Sequence, residues 1–254
     1  MGNSFSEDAV ENYLYDLARA ENKIFIIGNL FIGGCSLERH WNNMNQDAPA
    51  YSYRKIDANG LKTKTEQHTL KQGLRDEAWD YISFQQVSQN SGLIDSYFPY
   101  LTDLKKYARR QALNPKVQFV LHQTWAYAKD ASHGGFANYN RNQSLMYQSI
   151  VKSVNQAAAR VGITKIIPSG TAIQNARSSW LGDWFCRDGF HLQIPLGRYV
   201  AACTWFEALT GVAVLGNSSF PPGLAKEEVK IAQTAAHFAV VRPFEITDMS
   251  RLDF

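Results

Sequence analysis

Three polar residues near the two ends of the chain are of the types that a serine hydrolase uses. Ser4 lies in the sequence Gly2-Asn3-Ser4-Phe5-Ser6, and Asp188 and His191 are separated by two residues, one of them Gly189. A turn of this length would let the Asp188 carboxylate hold the Nδ1–H of His191 while Nε2 faces a hydroxyl nucleophile. The alternative, a turn aspartate next to a surface histidine, is the commoner outcome for such spacing alone.

Ser4 also has a purely structural interpretation. Ser4-Phe5-Ser6-Glu7 matches the capping-box pattern that begins many amphipathic helices. The two interpretations are compatible, because the dipole and the unpaired N–H groups of a helix N-terminus favour negative charge. A nucleophilic Ser4 in this position could contribute its own N–H group to an oxyanion hole.

The elements that must position these residues alternate along the chain between strand-length apolar runs and helical patterns. The predicted strands are 23–29, 81–85, 117–122 and 164–167, and the predicted helices are 6–19, 37–45, 96–111, 140–161, 195–210 and 225–240. This alternation is typical of a parallel sheet covered by helices. Alternating residues around Asn59-Gly60 predict a β-hairpin insertion at 50–69. We therefore expect a single α/β domain over residues 1–254.

Open parallel sheets bind ligands beyond the carboxyl ends of their strands. The segments directly after the predicted strands include Gly33-Gly34, 85–90 and 122–127, and a fourth polar segment, 188–191, precedes the helix predicted at Pro195. These four segments therefore contain further candidate site residues.

Three of these blocks resemble those of the SGNH (GDSL-like) hydrolases. Residues 2–6 resemble the first block of that superfamily, where Gly-Asp-Ser-Leu is usual, and 32–36 (Ile-Gly-Gly-Cys-Ser) resemble the second. Asp188-Gly-Phe-His191 resembles the last block, Asp-x-x-His. More narrowly, 28–41 resemble DUF4886, a subgroup of uncharacterised bacterial SGNH-like proteins.

The resemblance implies a three-layer α/β/α sandwich with a mostly parallel, flavodoxin-like central sheet. SGNH hydrolases have a buried strand directly before the nucleophile, whereas this sequence starts with Met1-Gly2. We therefore expect the first strand of the sheet to be missing from the chain as given. No signal peptide is present in that chain, and a longer N-terminus would suit a periplasmic or secreted protein.

The resemblance also implies roles for individual residues. Ser4 would be the nucleophile, His191 the general base and Asp188 the residue that orients His191. The backbone N–H groups of Ser4 and of Gly34, or of its neighbour Gly33, would form the oxyanion hole. The third block departs from the usual Gly-x-Asn-Asp, so the amide donor expected there would be Gln89 or Asn90, with Gln86 as a further candidate.

Two aromatic residues and one arginine are candidate substrate-binding residues. Trp125 and Tyr127 follow a predicted strand and precede a polar loop, so their rings could stack on a sugar, although core packing is the commoner role of such rings. Arg39 could bind a substrate carboxylate, or it could be a solvated residue of the helix that follows Gly34.

The charge, the hydropathy and the spacing of histidines and cysteines argue against several other classes of function. A formal net charge of +3 is too small to indicate nucleic-acid binding, and an apolar run of membrane-spanning length is absent from the sequence. The histidines lack metal-ligand spacing, and Cys35, Cys186 and Cys203 do not suggest a disulfide framework, so we expect neither metal nor other cofactor.

We thus expect a serine esterase that hydrolyses an ester of a carbohydrate or another small molecule. An O-acetyl group on a carbohydrate is the first candidate for the ester. The acetyl group is suggested by sugar-active members of the superfamily. The alternative is a catalytically weak or inactive carbohydrate-binding protein on the same scaffold, which the degenerate third block favours. The oligomeric state stays open.

Overall fold

The computed structural model describes residues 1–253, and in these residues nine α-helices alternate with six β-strands. In chain order they are α1 (Ser4–Val10), α2 (Leu14–Ala20), β1 (Ile27–Phe31), α3 (Leu37–Gln46), β2 (Tyr51–Ile56), β3 (Lys62–His68), α4 (Leu70–Leu74), β4 (Tyr81–Phe84), α5 (Tyr100–Gln111), β5 (Gln118–His122), α6 (Gln143–Val161), β6 (Lys165–Ile167), α7 (Ser169–Arg177), α8 (Leu196–Thr210) and α9 (Lys226–Val241). The protein is therefore an α/β protein.

The strands form two sheets of three strands each. β4, β5 and β6 are parallel, with Ile82 opposite Phe119 and Leu121 opposite Ile166. β1, β2 and β3 are antiparallel, so the hairpin of β2 and β3 extends the sheet of β1. Within residues 1–253 the hydrogen-bonded strands therefore form one parallel and one antiparallel sheet, and the single mostly parallel sheet expected from the sequence stays a prediction. The antiparallel sheet arises because β1 pairs with the hairpin that follows it.

A groove of about 400 Å³ separates the two sheets, between β1 and β4. Met1 is one of its lining residues, and Gly2 follows Met1 in the chain. Gly2 donates its N–H to the Leu30 carbonyl (3.1 Å) and pairs with Phe31 in a parallel bridge, and the Met1 amine donates to the Ser83 carbonyl (3.1 Å). Besides Met1, the groove is lined by apolar side chains of α1, α2, α4 and α8, among them Val10, Leu14, Leu74, Trp205 and Leu209.

One of the six predicted helices is divided in the structure, and two helices, α4 and α7, were not predicted. The predicted helix 6–19 is divided into α1 and α2 by a break at 11–13. Helix α7 was missed because eight of its nine residues are buried, so the sequence lacks the polar face that periodicity detects. Helix α8 is likewise buried almost throughout, and it packs against α1, α2, α7 and α9. The core around α8 therefore fixes the start of α1, where Ser4 lies.

Within residues 1–253, no helix is both long enough and apolar enough to cross a membrane.

Candidate active site

Ser4 is the first residue of α1, and Asn3 is its N-cap. The Asn3 side chain accepts the N–H of Phe5 at 3.0 Å. The capping role predicted for Ser4 therefore belongs to Asn3, because Asn3 has the extended backbone of a cap while Ser4 is already helical. The Ser4 hydroxyl is thus left for another partner, at a helix N-terminus that favours negative charge.

Asp188 and His191 lie at the tip of a short antiparallel ribbon, residues 185–193. Cys186 pairs with Leu192, and Arg187 donates its N–H to the His191 carbonyl at 2.9 Å. Gly189, at the tip, has a φ of +88°, a conformation that residues with a side chain rarely adopt. This turn brings the carboxylate of Asp188 back to the imidazole of His191.

The three residues predicted to act together are within hydrogen-bonding distance in the structure. The Ser4 Oγ to His191 Nε2 distance is 2.8 Å, across 187 positions of sequence. The His191 Nδ1 to Asp188 Oδ2 distance is 2.7 Å. Because a carboxylate can only accept, Nδ1 carries the proton, and Nε2 is left to accept the Ser4 hydroxyl.

The second oxygen of Asp188 is also engaged. Asp188 Oδ1 accepts the backbone N–H groups of His191 (2.8 Å) and Phe190 (3.2 Å). Burial raises the pKa of Asp188, but the hydrogen bonds from the His191 ring and from these two N–H groups outweigh it, so the pKa lies below its usual value. The carboxylate is therefore ionised and fixed toward the ring at neutral pH.

Trp125 supports the site from within the core. Its ring is stacked on Phe5 with a centroid separation of 4.2 Å, and its Nε1–H donates to the Phe190 carbonyl at 2.7 Å. It is 0% exposed, as is Tyr127, whose hydroxyl lies 2.8 Å from Ser88 Oγ. The prediction that these two rings stack on a substrate is thus corrected, because protein atoms already cover both of them.

Gly33 and Gly34 form an exposed turn next to the Ser4 turn. Asn3 Nδ2 donates to the Cys35 carbonyl (3.0 Å), and Ile32 donates its N–H to the Gly2 carbonyl (3.3 Å), which ties the two turns together. A Cβ atom built on either glycine would meet no atom within 4 Å, so the turn faces open space. Within residues 1–253 the N–H groups of Ser4 and Gly34 donate no hydrogen bond.

Three side-chain amides of the third block differ in their hydrogen bonding. The amide of Gln86 is bonded within the protein, whereas within residues 1–253 those of Gln89 and Asn90 are free to donate to another group. Gln86 is 2% exposed, accepts the Leu37 N–H at 3.0 Å and donates to the Ser96 carbonyl at 2.7 Å. The candidate substrate contact of Gln86 is therefore corrected to a brace between α3 and the loop after β4. Gln89 and Asn90 lie in a half-buried 3₁₀ turn, and their side-chain amides donate no hydrogen bond to any residue that the structure describes.

Arg39 is exposed in the first turn of α3, and its guanidinium makes no hydrogen bond or ion pair with the described residues. The described chain also contains no cluster of three histidine, cysteine or acidic side chains arranged for a metal ion.

Known proteins are similar to this chain over nearly its whole length. The family model for DUF4886, a domain of unknown function, matches residues 1–239. The chain belongs to the DUF4886 family. A crystal structure of a DUF4886 family protein from Bacteroides uniformis ATCC 8492 is similar, with 54% sequence identity, a TM-score of 0.97, and coverage of 99% of this chain and 97% of that one. The comparison with curated proteins gives no match.

A buried chain of polar side chains in this DUF4886 protein runs from Asn3 beneath Ser4 into the parallel sheet. Gln85 donates its amide to Asn3 Oδ1 (2.7 Å), and its Oε1 lies 3.0 Å from His122 Nδ1. His122 Nε2 lies 2.9 Å from Ser169 Oγ. Gln85, His122 and Ser169 stand at the carboxyl ends of β4, β5 and β6, and that shared placement is the sequence signal that could have grouped them.

The buried histidine in this chain makes stability depend on pH. Burial, with a smaller effect of the Met1 ammonium, lowers the pKa of His122 to about 3. An unfolded histidine has a pKa of about 6.5, so the unfolded state binds the proton first. The contribution of the neutral, buried His122 to the stability of the folded protein is therefore complete above pH 6.5, and it is lost as the pH falls toward 3.

We predict that His122→Gln reduces the pH dependence of the unfolding free energy between pH 6 and pH 4. The slope should fall by up to about 1.4 kcal/mol per pH unit, the value for one proton. Urea titrations of both proteins at pH 4, 5 and 6 measure it. Equal slopes for the variant and the wild type would show that His122 is protonated in the folded protein.

Proposed function

We propose that this DUF4886 protein hydrolyses carboxylic esters through an acyl-enzyme formed on Ser4. The observation that carries the proposal is the pair of hydrogen bonds that join Ser4 to His191 at 2.8 Å and His191 to Asp188 at 2.7 Å. A hydroxyl, a base within hydrogen-bonding distance and a carboxylate that orients the base are what nucleophilic serine catalysis requires. The resemblance of three sequence blocks to the SGNH hydrolases supports the same function.

The geometry suggests how each group acts. His191 Nε2 takes the Ser4 proton as Oγ attacks the ester carbonyl carbon, and the negative charge moves to the carbonyl oxygen. The N–H groups of Ser4 and Gly34 stabilise that oxygen, with the amide of Gln89 or Asn90 as a third donor. His191 then gives its proton to the leaving alcohol. A water molecule, deprotonated by His191, attacks the acyl group, and Ser4 recovers its proton as the acid leaves.

We propose a carbohydrate ester, with acetyl as the acyl group, as the substrate. The open space around Gly33 and Gly34 is compatible with a bulky alcohol beside the nucleophile. Trp180 and Trp184, which are 66% and 67% exposed, precede the ribbon and offer the flat rings that Trp125 and Tyr127 do not. Comparing release of acetate from acetylated plant polysaccharides and from simple acetyl esters tests this assignment.

We also infer that the two sheets are parts of one mostly parallel, SGNH-like sheet. The inner edges of β1 and β4 face each other across the groove, and Met1 and Gly2 already make strand-like hydrogen bonds to both. The outer edge, β3, carries Lys62, Lys64 and Glu66, as exposed edges commonly do. The apolar lining of the groove would accommodate one further buried strand between β1 and β4.

Ser4→Ala tests the proposed activity. We expect it to lower the hydrolysis of p-nitrophenyl acetate by about 10³-fold or more, and to abolish labelling by a fluorophosphonate, because the attacking oxygen is removed. Asp188→Asn should reduce both rates by a smaller factor. Ser132→Ala, which alters an exposed serine in the loop beside the ribbon, is the matched control and should retain activity. Equal rates for wild type and Ser4→Ala would favour the carbohydrate-binding alternative.

Extending the chain tests the inferred sheet. We expect five apolar, β-branched residues fused before Met1 to raise the melting temperature by about 4–10 °C, because they would bury apolar surface and pair both inner edges. A Gly-Ser extension of equal length is the control and should leave the melting temperature unchanged. Equal melting temperatures for the two extended proteins would contradict the inference.

A further inference from the structure

A buried carboxylate, Asp8, lies one helical turn after Ser4 in α1. Its side chain is 1% exposed. Asp8 Oδ2 accepts the backbone N–H of Leu192 at 2.7 Å, and Oδ1 lies 3.2 Å from Arg187 Nη1 and 2.6 Å from Arg198 Nη2. Both oxygens of this carboxylate are therefore engaged, and all three partners belong to the ribbon or to α8.

The partners of Asp8 flank the two residues that act on Ser4. Arg187 directly precedes Asp188, and Leu192 directly follows His191. Residues four apart on a helix share a face, so Ser4 and Asp8 both face the ribbon. Asp8 thus holds each strand of the ribbon to the helix that carries the nucleophile.

Arg198 extends the same junction to the core. It lies in the first turn of α8, a helix buried almost throughout. Next to it, Gly197 allows α8 to approach the ribbon so closely that an added Cβ would lie 2.5 Å from the Phe185 carbonyl oxygen. The ribbon is therefore held between α1 and α8, with the Asp8 carboxylate at their junction.

We propose that Asp8 is a positioning residue for the Ser4–His191 pair, which sets the separation of hydroxyl and imidazole by holding the ribbon to α1. It touches neither substrate nor reacting atoms, and it acts through His191. The inference rests on the proposed esterase function. Asp8 would then affect the rate of the reaction, in addition to the stability of the protein that any buried ion pair affects.

Asp8→Asn is the first test, because it keeps the shape of the side chain and removes its charge. We expect kcat for p-nitrophenyl acetate to fall by about 10–100-fold with KM nearly unchanged, as small displacements of reacting groups typically do. Glu207→Gln is the matched control. Glu207 is also a buried carboxylate, which accepts the Val214 N–H at 2.9 Å and pairs with His237 at 2.8 Å, so its loss should lower stability and leave kcat unchanged.

A double-mutant cycle separates positioning from stability. If Asp8 acts through His191, Asp8→Asn should have no further effect on the residual rate of a His191→Ala protein, whereas effects of a purely structural role would add in both backgrounds. Arg187→Gln provides a milder variant should Asp8→Asn fail to fold, because its side chain is 36% exposed and Arg198 remains to pair with Asp8. We expect an about 3–10-fold loss in kcat, again absent in the His191→Ala background.

The outcomes distinguish the two proposals. An unchanged kcat in folded Asp8→Asn, or equal effects of that change with and without His191, would overturn the positioning role and leave the esterase proposal intact. A wild-type protein as slow as Ser4→Ala and unlabelled by fluorophosphonate would instead overturn the esterase proposal, and the role of Asp8 with it.

Discussion

The hydrogen bond between Ser4 and His191 joins two parts of the chain that are 187 positions apart. A bond of 2.8 Å between such distant side chains has little stability of its own, so the surrounding packing must hold both ends. The start of α1 and the ribbon 185–193 are the two ends, and most features of the site can be understood as ways of fixing them relative to each other.

Three sets of contacts hold the two ends of this hydrogen bond in place. In the first, the Trp125 ring lies against Phe5 and its indole N–H reaches the Phe190 carbonyl, so one residue contacts both α1 and the ribbon. In the second, Asp8 links α1 to the ribbon through charged hydrogen bonds with Leu192 and Arg187. In the third, Asn3 ties the Ser4 turn to the turn of Gly33 and Gly34. Hydrophobic contact, ion pairing and neutral hydrogen bonding are thus all used at one junction.

The aromatic residues show how burial decides which rings are available for contact with another molecule. Trp125 and Tyr127 follow β5 directly, where a ligand would be expected, but both are fully covered. Trp180 and Trp184 belong to a segment with no regular periodicity, yet their rings are exposed. A sequence pattern can place an aromatic residue near the edge of a sheet, but which ring is covered depends on the loops that fold over that edge.

The sequence by itself determined the local features of this protein: the alternation of helices and strands, the start of a helix near Ser4, the hairpin around Asn59-Gly60, and the turn that brings Asp188 to His191. These depend on neighbouring residues, since backbone conformation and short-range hydrogen bonds are set within a few positions. Tertiary structure alone decided that Gln86 is a brace, that β1 pairs with the hairpin, and that Asp8 meets Leu192. Each of these depends on partners brought from distant parts of the chain, and the partners are chosen by the packing of the whole core.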